Sequence, residues 1–282
     1  MKTSNKLIIA LAAALIVVPI IVIAVNVRFN YRKMDYRDSY SGANQINTED
    51  FNQKSIGRIA IGIAQPFTSV RVDDAKGISV QIYVKTSERF GIKIQDVYKD
   101  LINTTVNQKG ELLISFADKM ERGRNDKVIL VVYCPAINAI EVKNSYITEL
   151  AATADTLNVK ITDAQSVFFT GNFTYNDDKR KKTEIESPTK IGTLNLSLKD
   201  TEFAGYNAGI KNIKIEAAKS TINLGASDPH AVVDYNSLSI LAKDNSTVNI
   251  EHTTAKTAHG DFSDDTQMKI PTSMLKQMLT TP

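Results

Sequence analysis

Residues 212–224 read NIKIEAAKSTINL. Ile213, Ile215 and Ala217 alternate with Lys214 and Glu216, the alternation stops at Lys219, and Ile222 and Leu224 resume it. Apolar residues at every second position mark a strand with one buried face. The phrase returns in TLNVKITDAQSVFF from Thr156, TLNLSLKDTEF from Thr193 and SLSILAKDNSTVNI from Ser237. Aligned, the copies form three apolar columns: Leu157, Leu194, Ile213 and Leu238; Val159, Leu196, Ile215 and Ile240; Ile161, Leu198, Ala217 and Ala242. A corner column follows with Asp163, Asp200, Lys219 and Asp244. A second limb then carries Val167 and Phe169, Phe203, Ile222 and Leu224, or Val248 and Ile250. A weaker copy opens at Ile140 and Val142, so the starts fall at 140, 157, 194, 213 and 238. The 37-residue gap before 194 is about twice a short one. It hides either a degenerate copy near 182–187 or a looped insertion.

One such copy has two short limbs with a single apolar face and cannot bury it alone. Stacking copies about 4.8 Å apart pairs each backbone with its neighbours and fuses the aliphatic columns into one core. A one-residue slip would expose every Leu and Ile, so the register is fixed. The expected fold is all-β, a single-stranded β-helix or β-solenoid over residues 136–250, preceded by one N-terminal transmembrane helix. In chain order the corners Asp200, Lys219 and Asp244 alternate in sign. Open ends of such a stack need covering. Residues 58–135, with alternating strands such as GISVQIYVKT from Gly77, GIKIQ from Gly91, ELLISF from Glu111 and KVILVVYC from Lys127, supply an N-terminal β region to close one end. A short turn is expected near 96–102. Residues 251–282 form a C-terminal tail and cap, in which Met274, Leu275, Met278 and Leu279 lie at helical spacing behind Thr272 or Ser273 as N-cap.

Residues 7–27, LIIALAAALIVVPIIVIAVNV, are an apolar run flanked by Lys2, Lys6, Arg28, Arg32 and Lys33. About 20 helical residues cross a bilayer, so the run is long enough to span. Residues 1–33 read as a short cytoplasmic tail and signal anchor, and 34–57, polar and without period, as a linker. The implied location is the bacterial inner membrane, single-pass, with the C-terminal domain in the periplasm. The alternative is secretion after cleavage near Val22-Ile23-Ala24. Outside the first 33 residues, 29 basic residues face 31 acidic ones, so the mildly basic total of +3 belongs to the membrane flanks. A phosphate-tracking surface needs clustered positive charge, and nucleic acid is therefore not expected as a partner.

The combination FTSVRVDDAKGISVQIYV from Phe67, VYCPAINAIEV around Pro135, and rungs of L-x-V/I-x-A/L with small polar corners resembles the putative auto-transporter adhesin head GIN domain family of Bacteroidota. The resemblance spans roughly 67–250, with LGASDP at 224–229 as the corner nearest the family's pattern. It implies an extracytoplasmic β-helix-like domain and supplies no catalytic residues.

The residues themselves offer no catalytic signature. His230, His252 and His259 lack H-E-x-x-H spacing, and no G-x-S-x-G elbow occurs. DFSDD at 261–265 lacks calcium-loop spacing and reads as turn chemistry. Cys134, the single cysteine, sits in an apolar strand and reads as core. No cofactor or metal is expected. The favoured function is a non-catalytic binding, adhesion or structural role in the cell envelope. Its expected partners are the bilayer through residues 7–27 and an unidentified protein or glycan. The candidate surface-binding residues are Lys179, Arg180, Lys181 and Lys182 in the basic KRKK cluster, and Lys199 and Lys214 on the outward face of the repeats. The alternative is a carbohydrate-active β-helix enzyme, a glycan lyase or hydrolase, which needs paired carboxylates on one face. The absence of Trp removes the strongest sugar-stacking side chain.

Overall fold

The computed structural model describes residues 50–55, 57–120, 127–171, 187–206, 208–226 and 231–280, the backbone of 173–176 and 182–185, and, before residue 50, Thr3, Lys6, Leu11, Leu15 and 17–23. The chain divides into two units, 1–43 and 44–282. In the first, Leu11, Leu15 and 17–23 are helical and exposed. Among the described residues no helix is long and apolar enough to cross a membrane, and most of the apolar run 7–27 lies outside them.

Among its described residues the second unit is all-β apart from one 3-10 turn and one helix. Its strands are β1 (Arg58–Gly62), β2 (Ser69–Val72), β3 (Ser79–Thr86), β4 (Gly91–Gln95), β5 (Ile102–Val106), β6 (Glu111–Phe116), β7 (Lys127–Cys134), β8 (Ala139–Ala151) and β9 (Thr153–Phe169). They continue with β10 (Phe173–Asn176), β11 (Lys182–Ile185), β12 (Lys190–Gly205), β13 (Ile210–Ala218), β14 (Thr221–Leu224), β15 (Val233–Lys243), β16 (Thr247–Ile250), β17 (Thr253–Phe262) and β18 (Gln267–Lys269), and helix α1 spans Thr272–Thr280. The expected turn is a 3-10 turn at Asp96–Tyr98.

The apolar columns are the columns of the ladder. Leu194 pairs in parallel with Leu157 on one side and Ile213 on the other, and Ile213 pairs with Leu238. The second and third columns follow the same register, and all twelve side chains are buried. The weaker copy starts two residues earlier than its spacing implied, at 138 instead of 140. Ile140 pairs with Val159, in the second column, and the corner Asn144 stands 19 residues before Asp163.

Each corner residue is left-handed: Asn144, Asp163, Asp200, Lys219 and Asp244 have φ of 53, 55, 50, 51 and 57°. Asn and Asp enter this region most readily among residues with a side chain, which explains their concentration here. The alternation of sign begins only at Asp200, because Asp163 stands on the neighbouring strand with the same charge.

Just after the corner lies a buried column of hydroxyls. Thr201 Oγ1, Ser220 Oγ and Ser246 Oγ donate back to the carbonyls of Lys199, Ala218 and Lys243 at 2.9, 2.8 and 2.6 Å. They accept the amides of Ala164, Thr201 and Ser220 from the preceding rung at 3.3, 3.2 and 3.2 Å. The bend opens the backbone ladder, and a small hydroxyl closes it from inside at little cost in volume.

The ladder is longer than the repeat in the sequence. β2 and β3 form another rung, with Val70 and Val72 beside Ile140 and Val142, and Ile82 beside Leu150. β6 and β7 form a further one, outside β2 and β3. Chain order is broken here, since β2 and β3 lie between β6/β7 and β8, although they precede both in sequence. The antiparallel strands β5, β4 and β1 then border β6, β7 and β4 respectively. Residues 58–135 thus contribute two rungs as well as an edge.

Part of the expected linker is packed. Lys93 on β4, 1% exposed, donates from Nζ to Asp50 O at 2.7 Å, Gln53 O at 2.8 Å and Ser55 Oγ at 3.1 Å. These three acceptors match the three hydrogens of the ammonium. Phe51 packs edge-on against Tyr133, centroids 5.3 Å apart, covering an outer apolar cluster of Tyr83, Val131, Tyr133 and Ala151. Gly91 permits this, because a Cβ there would lie 2.4 Å from the Phe51 ring.

At the other end the ladder continues past Ile250 into β17 and β18, which pair with β15 and β16. The inward positions of β17 hold Ala258 and Gly260, opposite Leu238 and Ile240. The Phe262 ring folds over Gly260 with Met278 of α1 beside it, and Met274 and Met278 are both buried. A Cβ at Gly260 would lie 3.3 Å from Met278 Cβ. The cap expected from 271–282 is therefore a helix that plugs the last rung, with Leu275 half-buried and Leu279 exposed.

Candidate binding groove

Outward side chains of the first limb form two parallel columns across β6, β2, β8, β9, β12 and β13. One column runs Glu111, Ser69, Ala139, Asn158, Asn195 and Lys214; the other runs Leu113, Arg71, Glu141, Lys160, Ser197 and Glu216. Between them lies a groove of about 370 Å3, floored by Val70, Ile140, Val159 and Leu196. Ser69, Ala139 and Ser197 supply its low points because their side chains are short.

The charges in the groove are mutually engaged. Glu141 lies 3.2 Å from Lys160 Nζ, 3.6 Å from Lys143 Nζ and 3.8 Å from Arg71 Nε. Arg71 also donates from Nε to Asp73 at 2.6 Å, and this bond, with the nearby carboxylates, raises its pKa against the opposing effect of burial. Lys214 lies 2.8 Å from Glu216, and Glu111 accepts from Asn107 Nδ2 at 2.6 Å. Asn195 Nδ2 donates to Asn158 Oδ1 at 2.9 Å, and Asn158 Nδ2 to Asn138 O at 3.1 Å, so an amide ladder runs along one wall.

Of the expected surface residues, Lys214 lines the groove. Lys199 is exposed on the same face of the adjacent strand, one outward position beyond Ser197, and is not part of the lining. Lys182 sits on β11 opposite Asn176 in a separate antiparallel hairpin, so the long repeat gap holds an insertion instead of a degenerate rung. Lys179, Arg180 and Lys181 lie outside the described residues. The buried stem beside this hairpin is held by Ser187 Oγ and Thr189 Oγ1, which donate to Thr170 O at 2.9 and 2.8 Å. Arg71 stands on β2, whose place beside β8 the repeat does not reveal, whereas Glu141 and Lys160 occupy outward positions of copies that the spacing already predicts. The signal was present in SVRVDDAKGISV, two alternating limbs around a polar corner.

Elsewhere, Glu149 on the outer face of β8 accepts from Tyr83 Oη at 2.8 Å, Thr170 Oγ1 at 2.7 Å and Gln81 Nε2. Burial, then the neighbouring Glu149, raises the Tyr83 pKa. Burial also pushes the Cys134 thiol up to about 12. Among the described residues no group of three or more His, Cys, Asp or Glu is placed to hold a metal ion.

No protein-family model and no curated protein matches the chain. Solved structures similar to it include a putative adhesin from Bacteroides fragilis NCTC 9343, 13% identical, with a TM-score of 0.37 over 77% of this chain and 98% of its own. A putative adhesin from Parabacteroides distasonis ATCC 8503 is 13% identical, with a TM-score of 0.34 over 76% and 92%. A putative lipid binding protein from the same strain is 9% identical, with a TM-score of 0.35 over 76% and 94%.

Proposed function

We propose that the chain is a membrane-anchored, extracytoplasmic β-solenoid of the adhesin-head type, that it is not an enzyme, and that its outer groove binds a ligand at the bacterial cell envelope. The apolar run 7–27, with basic residues on both sides, supports the anchor. The in-register parallel columns support the solenoid.

The observation that carries the binding role is the state of the groove's carboxylates. Glu141 and Glu216 are held by lysines and Arg71, an arrangement suited to fixing a surface. They stand in one column with β9 and β12 between them, three strand spacings or about 14 Å along the backbone. A glycoside-cleaving pair works at about 5 to 10 Å.

The test is a glycan and matrix-protein array probed with the full chain. Saturable binding that is lost in Lys214→Glu supports the proposal. Turnover of a polysaccharide that is lost in Glu141→Gln overturns it. Protease treatment of spheroplasts tests the location: degradation of the β domain in intact spheroplasts supports a periplasmic face, and full protection overturns it.

A further inference from the structure

We infer that the groove's ligand is an extended, uncharged polysaccharide lying along the stacking direction and held by hydrogen bonds without ring stacking. The inference rests on the binding role proposed above and adds the chemical class of the ligand.

The groove crosses six strands, five spacings or about 24 Å. A volume of about 370 Å3 over that length makes a shallow trough, which accommodates one edge of a chain and not a compact molecule. Equivalent wall positions recur at every rung, about 4.8 Å apart, a spacing close to that of successive sugars in an extended chain.

Charge excludes a polyelectrolyte. The lining carries Arg71, Lys160 and Lys214 against Glu111, Glu141 and Glu216, so it is neutral overall. The close pairs are internal: Lys160 with Glu141 at 3.2 Å, and Lys214 with Glu216 at 2.8 Å. A polyanion would have to displace these carboxylates, and a polycation these lysines. A hydroxyl is both donor and acceptor, and can bond to either member of a pair without separating them.

A peptide fits poorly. The groove lies on a sheet face whose backbone groups are already paired along the ladder, so no strand can be added there. Its floor residues Val70, Ile140, Val159 and Leu196 point into the core, leaving no apolar pocket for side chains. Among the described residues no aromatic side chain lines it, which argues against base stacking as well.

The experiment measures binding of the full chain, kept in a detergent without a sugar headgroup, to a neutral β-glucan, a mannan, polygalacturonate and heparin at low and high salt. Ser197→Trp and Asn158→Trp each fill the trough from an exposed position, and Lys256→Trp on β17 lies two strands beyond it. Thermal melting checks that the variants fold. The expected result is saturable binding to a neutral polymer, weakened about tenfold or more in the groove variants, unchanged in Lys256→Trp. It is nearly independent of salt, where a polyanion contact would fall steeply.

Preference for heparin or polygalacturonate with a steep salt slope overturns the ligand class. Failure of all four polymers overturns it too. In either case the broader binding role survives if an array ligand is displaced by Ser197→Trp. Neutral-polymer binding that persists in both folded groove variants overturns the groove as the site, and with it both readings.

Discussion

Lys219 occupies a corner where the rungs of β8, β9, β12 and β15 place Asn or Asp. Its φ of 51° costs a long side chain more than it costs Asn. Lys219→Asn should raise stability by about 0.5–1 kcal/mol, seen as a higher denaturant midpoint. One residue later, Ser220→Ala should cost about 1–3 kcal/mol, because the Thr201 amide loses its acceptor in a dry corner. The same substitution at the exposed Ser197 is the control and should change little. Two buried acids set an alkaline limit. Burial raises Cys134 from 9.0 and Tyr235 from 10.0, each to about 12. Both stay protonated in the fold where the unfolded chain ionises, so their contribution is complete below about pH 9 and is lost as pH climbs toward 12. Denaturant midpoints should be level between about pH 7 and 8 and fall between about pH 9 and 11; a flat profile across the alkaline range contradicts this.

Elements were legible in proportion to their aliphatic content. Leu157, Leu194, Ile213 and Leu238 named their own column, and the corner Asp residues marked the bend. In sequence β17 reads as a polar tail, because Ala258 and Gly260 replace the expected Leu and Ile. Its inward face is completed by its own Phe262 together with Met278 from another element, and no local period reveals the second. The groove is half legible: alternation places Glu141, Lys160 and Lys214 outward on copies stacked in chain order, but their companion Arg71 comes from β2, whose adjacency to β8 crosses it. The methionine plug yields a prediction for α1. Met278→Asp should detach the helix and bare the end of the sheet, giving concentration-dependent association in light scattering and early proteolysis after Lys276. An unchanged monomer would show that α1 is dispensable as a cover.

At the scale of the molecule, each rung packs mainly on the rungs beside it, so stability should vary along the stack more than across it. Amide exchange is expected to be slowest in β9 and β12, each an unbroken strand through both limbs and flanked on both sides. It should quicken toward β18 and β5, the outermost strands of their limbs; uniform protection would mean the whole ladder opens as one unit. The interleaved position of β2 and β3 bears on how the chain is made. A ribosome releases residues 69–86 first, yet that rung has no parallel neighbour until β6, β7 and β8 have emerged. Assembly therefore cannot follow synthesis from the amino end. The earliest strands must wait, unpaired, for later ones to close around them, and during that interval they are the part of the nascent chain most in need of a chaperone.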